Sequence, residues 1–92
     1  MNPAVATGSV VLAVMLHARP AAVLAREAGA HRAALTVNGA DAASVLSLMR
    51  LGAVAGQELQ VVATGPGAGE ALAAMVAAIA GLGAGGAAVG GS

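Results

Sequence analysis

The sequence predicts an α+β fold, a small four-stranded antiparallel sheet with three helices on one face. Three observations predict it. Stretches rich in Val and Thr alternate along the chain with stretches whose apolar residues recur at helical spacing. An Asn38-Gly39 pair between apolar residues marks a tight hairpin. The order read from these signals is β-α-β-β-α-β-α with no internal repeat, and such an order places helices over one side of a mostly antiparallel sheet. At 92 residues the chain makes one domain.

The first element is a strand followed by a connection, over about Val5 to Val14, where Val is frequent and Gly is rare. A helix follows. Pro20 suits its first turn, where a missing N–H costs nothing and the fixed φ helps. Ala21, Val23, Leu24 and Ala28 supply its apolar face, and Gly29 is its stop. In "AALTVNGADAAS" the Asn-Gly pair joins two short strands, because both central residues of a type I′ turn need positive φ. The next helix is "SVLSLMRLG", with Ser44 or Asp41 as N-cap, a stripe of Val45, Leu46, Leu48, Met49 and Leu51, and Gly52 as stop. "GQELQVVATG" alternates as a strand, Leu59, Val61 and Ala63 on one face against Gln60, Val62 and Thr64. "GPGAG" (65 to 69) reads as a loop. The last helix is the clearest, with Leu72, Met75, Val76 and Ile79 at i, i+3, i+4 and i+7. The domain is assigned to residues 1–82. "GLGAGGAAVGGS" can bury little, and residues 83–92 are expected to form a flexible Gly/Ala-rich tail.

Composition excludes several functions. Arginines supply all four basic side chains, against Asp41, Glu27, Glu58 and Glu70, and the net charge of zero leaves no nucleic-acid footprint or polybasic membrane patch. The chain has no Phe, Tyr or Trp, so stacking on exposed bases is not a main mechanism. Without cysteine there are no disulfides or thiolate metal sites, which fits a reducing compartment. His17 and His31 lie on different elements and do not make a metal site. Alanine makes up half of the 59% hydrophobic fraction, and the stretch from Ala71 onward is broken by glycines. Val10–Leu16 has no Lys or Arg before it to make a secretory leader. The expectation is a cytoplasmic monomer without membrane insertion, cofactor or metal.

The chemistry gathers at "VMLHARPAA" (14 to 22), where a histidine and an arginine interrupt an apolar run. His17 immediately precedes a predicted helix, whose free N–H groups and positive dipole end attract an anion. Arg19 adds a permanent planar cation suited to phosphate oxygens. A histidine titrates near neutrality, so a neutral imidazole can attack an activated phosphoryl group. A plain surface histidine beside a solvated arginine is the competing reading of these residues alone. No acid near His17 in sequence completes a hydrolase triad, and Gly65, Gly67 and Gly69 lack the lysine of a phosphate loop.

The segment "LHARPAAVLAREA" resembles the active-site segment of HPr, the histidine-containing phosphocarrier family of the bacterial sugar phosphotransferase system. The resemblance extends through "SVLSLMRLGAVAGQELQVVATG" and into "EALAAMVAAI". It implies an open-faced β-sandwich in the order read above. It implies that His17 accepts phosphate on Nδ1 from phosphorylated enzyme I and passes it to enzyme IIA domains in sugar uptake. Arg19 would neutralise that phosphate, and the N–H groups of Ala18 and Arg19 would bind it. Such a protein is a stoichiometric carrier within a phosphotransferase relay rather than a turnover enzyme. Ala22, Arg26, Val45, Leu46, Ser47, Met49 and Arg50 match the family's docking patch, although core packing equally explains Val45, Leu46 and Met49. Ser44 matches a serine that some members carry as a regulatory phosphorylation site, and a plain N-cap is its other role.

Three departures from the family pattern concern partners more than fold. Met15 stands where a glycine is usual, the hairpin arms are shorter, and the last helix opens on "GPGAGE". They leave two alternatives to general sugar uptake. One is an HPr-like module for a dedicated route such as dihydroxyacetone phosphorylation. The other is a regulatory binding module with reduced phosphotransfer.

Overall fold

The structure, a computed structural model, describes residues 4–91, with side chains through residue 83. The elements run β1 (Val5–Val11), α1 (Ala18–Gly29), β2 (Ala34–Val37), β3 (Ala40–Asp41), α2 (Val45–Arg50), β4 (Glu58–Thr64) and α3 (Ala68–Gly91). This is the predicted order. The strands form one antiparallel sheet in the order β1-β4-β2-β3, so the first and last strands pair along their full lengths at its centre and edge.

Alternation in β4 buries Leu59, Val61 and Ala63 and turns Glu58 and Gln60 to solvent. The buried face carries the helices: α3 packs across β1 and β4 and against α1, which in turn packs against α2. The core combines Leu12, Leu16, Leu24, Leu48, Leu59, Met75 and Ile79 with buried alanines such as Ala21, Ala28, Ala63 and Ala71. With alanine at so many contacts and no aromatic ring to fill space, backbones must approach closely for the interior to close.

The tight turn has the predicted geometry, with φ of 49° at Asn38 and 82° at Gly39. Asn38 is also tied to the neighbouring strand. Its N–H donates to the Gln60 carbonyl at 2.8 Å, and its Oδ1 accepts from the Gln60 N–H at 2.7 Å. Ser44 is the N-cap of α2, its side chain accepting from Ser47 N–H at 3.1 Å. Asp41 instead closes a local turn, Oδ1 accepting from Ala43 N–H at 2.9 Å. Gly52, at φ 62°, ends that helix in the left-handed conformation that favours glycine.

One expectation about the last helix is corrected. Ala68 and Gly69 are its first residues rather than loop, the loop being only Gly65 to Gly67, and Ala71 N–H already bonds to the Gly67 carbonyl at 2.9 Å. At the other end the helix runs past Leu82 to Gly91. Propagating an existing helix adds one hydrogen bond per residue fixed, and the alanines between the glycines favour that continuation. The side chains after Gly83, Val89 among them, lie outside the described residues.

Candidate functional site

The chain reaches the start of α1 through a short loop that leaves β1 at Val11. Leu12 and Leu16 are buried at its two ends, at 0% and 3% exposure. Hydrogen bonds fix the same two points. Leu12 N–H donates to Gln57 O at 2.9 Å while its carbonyl accepts from Gly56 N–H at 2.7 Å, and Leu16 N–H donates to Ala53 O at 3.0 Å. The loop is therefore fastened to the segment that follows α2. Between the anchors, Ala13 and Met15 are exposed and Val14 is half-buried.

His17 is the N-cap residue of α1, in extended backbone conformation (φ −92°, ψ −167°), and its side chain is exposed. N-cap residues are usually Ser, Thr, Asp or Asn, whose side chains satisfy the first N–H groups of the helix. The imidazole makes no such bond, and the first turn holds no acidic residue. The His17 carbonyl accepts from Ala21 N–H at 3.0 Å, so the first intrahelical bond is in place. Pro20, third in the helix, has no N–H. The donors left at the helix start are those of Ala18 and Arg19, both exposed. A histidine, two open backbone donors, the positive end of a helix dipole and an arginine thus share one exposed turn, and that combination suits a phosphoryl group.

Ala22 and Arg26 lie further along α1, both exposed. On α2, which packs against α1, Leu46 is 58% and Met49 40% exposed, Val45 and Ser47 are half-buried, and Arg50 is exposed. Of the three apolar residues that core packing could claim, only Val45 packs on the core. Arg26 and Arg50 also have a structural role, each occupying the last turn of its helix, where a cation complements the dipole. Ser47 is engaged through its N–H in the α2 cap. Leu12 does not extend the exposed apolar surface, because it belongs to the core.

Met15, 57% exposed, and Val54, 48% exposed, flank the Leu16–Ala53 hydrogen bond and add apolar surface beside the site. Val54 was not singled out in the sequence. An apolar residue in a loop just after a helix-stopping glycine was the available signal. His31 stands beyond the other end of α1, about 18 Å along a helix of 12 residues. There its Nε2 lies 2.7 Å from Glu27 Oε2, an i, i+4 pair that has no part in the His17 site. Among the described residues no group of His, Asp and Glu could hold a metal ion, and no helix is long and apolar enough to cross a membrane.

Comparison with known proteins adds an independent line. The family model described as the PTS HPr component phosphorylation site matches residues 6–81. A search of curated proteins finds no match. Among solved structures, the chain is similar to a histidine-containing phosphocarrier protein of Mycoplasma, at 32% identity over 79% of this chain and 90% of that one, with a TM-score of 0.73. It is also similar to the phosphocarrier protein HPr of Bacillus anthracis str. Ames, at 29% identity over 83% of this chain and 98% of that one, with a TM-score of 0.76. A third similar structure is HPr-C-His of Thermoanaerobacter tengcongensis, at 28% identity over 85% and 92% of the two chains, with a TM-score of 0.71. With the family's fold, a phosphorylation-site model spanning most of its length, and a histidine at an uncapped helix start, the chain belongs to the HPr family of phosphocarriers of the phosphotransferase system.

Proposed function

We propose that His17 is the residue that carries the phosphoryl group, accepted on Nδ1 from the phosphohistidine of enzyme I and passed to enzyme IIA domains. In the accepting step the Nδ1 lone pair forms a P–N bond as the donor's P–N bond breaks, and the leaving ring nitrogen keeps the electron pair. Arg19 and the N–H groups of Ala18 and Arg19 balance the charge of the transferred group. No pocket for a sugar is needed, because the partner supplies the second substrate.

The observation that carries this reading is the exposed, non-capping imidazole of His17 at the start of α1. A histidine kept only to close a helix end would bond to it. Ala22, Arg26, Val45, Leu46, Ser47, Met49 and Arg50 form the docking surface in this reading, and the protein acts as a cytoplasmic monomer. Ser44 is then a residue that a kinase could modify at the oxygen that caps Ser47 N–H, where a phosphate keeps acceptor oxygens beside the helix start.

The test is incubation with phosphoenolpyruvate and enzyme I, followed by intact-mass measurement. One added phosphate is expected on the wild-type protein and on His31→Ala, and none on His17→Ala. The adduct should be lost in acid and survive base, as a phosphoramidate does and a phosphoserine does not. Equal labelling of the two variants would overturn the assignment.

Met15 favours a second reading about partners rather than chemistry. Its exposed side chain, in place of a glycine, is suited to a dedicated partner with a matching apolar surface. Transfer to one enzyme IIA or dihydroxyacetone-phosphorylating partner from the same organism, and not to others, would support it over general sugar uptake.

A further inference from the structure

The loop that carries His17 meets α3 at a point no motif marks. A Cβ placed on Gly83 would lie 2.8 Å from the Ala13 Cβ and 3.9 Å from Val14 Cγ1. The shorter distance is below any that two carbon side chains tolerate. The Ala13 methyl has no rotamer to turn into, so a side chain at 83 would force one of the two backbones to move. Ala13 is itself exposed, but its neighbours allow the loop little freedom, with Leu12 and Leu16 buried and hydrogen-bonded to Gln57, Gly56 and Ala53. Gly81, one half-turn earlier on the same helix, has nothing within 4 Å of the corresponding position.

We infer that Gly83 is a positioning residue for phosphoryl transfer. By lacking a side chain it lets α3 rest against the loop at Ala13, and this contact holds the approach to His17 between its two leucine anchors. It acts on the reaction through the loop and touches no phosphate. The inference rests on the reading of His17 as the phosphoryl acceptor.

The matched pair Gly83→Ala and Gly81→Ala tests it. Both changes raise helix propensity alike, so a difference between them reports the contact. Two quantities are read on the full chain: the backbone amide and His17 imidazole chemical shifts, and the initial rate of phosphorylation by phosphorylated enzyme I. Gly83→Ala should move the shifts from Ala13 to Ala18 and slow phosphorylation on the order of tenfold, the scale of a small misplacement of a reacting group. Gly81→Ala should change neither. Adding Ala13→Gly to Gly83→Ala removes the opposing methyl, and should restore both shifts and rate. The double variant also covers the case in which Gly83→Ala alone folds poorly.

A Gly83→Ala rate equal to that of Gly81→Ala would overturn the inference. So would loop shifts that move while the rate stays unchanged, or a double variant that recovers nothing. If the wild-type protein took no label at all, the His17 reading would fail and the positioning role with it. The shifts would still report whether the contact exists, which separates that failure from a failure of the contact itself.

Discussion

Leu16 donates its backbone N–H to the carbonyl of Ala53 at 3.0 Å, joining the residue before His17 to the segment after α2. The bond lies between exposed Met15 and exposed Val54, and the segment it fastens continues directly from α2 with its exposed Leu46 and Met49, so site and surface share one frame. Within that frame adjacent residues have opposite roles. Leu16 is 3% exposed and Met15 57% exposed. Leu16→Ala should therefore cost about 2–5 kcal/mol of folding stability, the usual range for emptying a buried leucine site. Met15→Ala should stay within about 0.5 kcal/mol of wild type. Urea denaturation of the two variants checks the contrast, and equal losses would contradict it.

Arg19 is exposed and makes no side-chain hydrogen bond among the described residues. Its substitution should leave the denaturation midpoint nearly unchanged. Phosphoryl transfer should slow with Arg19→Ala and slow less with Arg19→Lys, since lysine keeps the charge and loses the planar fork. Stopped-flow or quench measurements of labelling rank the three proteins. Unfolding of Arg19→Ala would make the residue structural.

Ser44 offers a test of a cap in isolation. Its side chain accepts from Ser47 N–H, so Ser44→Ala should lose about 1 kcal/mol. Aspartate is as good an N-cap as serine, and Ser44→Asp should retain most of the stability. If its added charge beside α2 also slows transfer, modification of Ser44 could regulate the carrier without unfolding it. Stability and labelling rate measured on both variants distinguish the two effects.

How far the sequence foretold this molecule depends on the range of each interaction. The turn at Asn38-Gly39, the cap at Ser44, the alternation of β4 and the face of α3 through Leu72, Met75, Val76 and Ile79 are local, and local rules place them correctly. The placing of His17, Ala18 and Arg19 at one helix start was legible because the three are consecutive and Pro20 marks a first turn. The family resemblance, more than periodicity, pointed to Leu46 and Met49 as surface, since a helical stripe alone reads them as core. Other features were not legible because they arise only when distant segments meet. Asn38 bonds to Gln60, and Leu12 is buried beside a loop whose neighbours are exposed. Gly83 looks like any glycine of a weak C-terminal pattern until α3 arrives at Ala13.

The least family-like residue of the site gives the last prediction. A glycine before the histidine can adopt positive φ and leave the approach to the imidazole bare. Met15 instead presents a flexible apolar side chain to solvent, in company with Leu46, Met49 and Val54. Exposed apolar groups of this kind stabilise a complex when a partner covers them, and methionine adapts to an imperfectly matched surface. Met15→Gly should then weaken binding to the enzyme I and enzyme IIA of the same organism while a generic enzyme I still labels His17. Calorimetric titration against each partner, with labelling as the control, measures both. The substitution removes no core contact, so a loss of affinity cannot be assigned to unfolding. If Met15→Gly raised affinity and transfer together, the side chain would be an obstruction at the site, and a regulatory module with reduced phosphotransfer would become the better account of this protein.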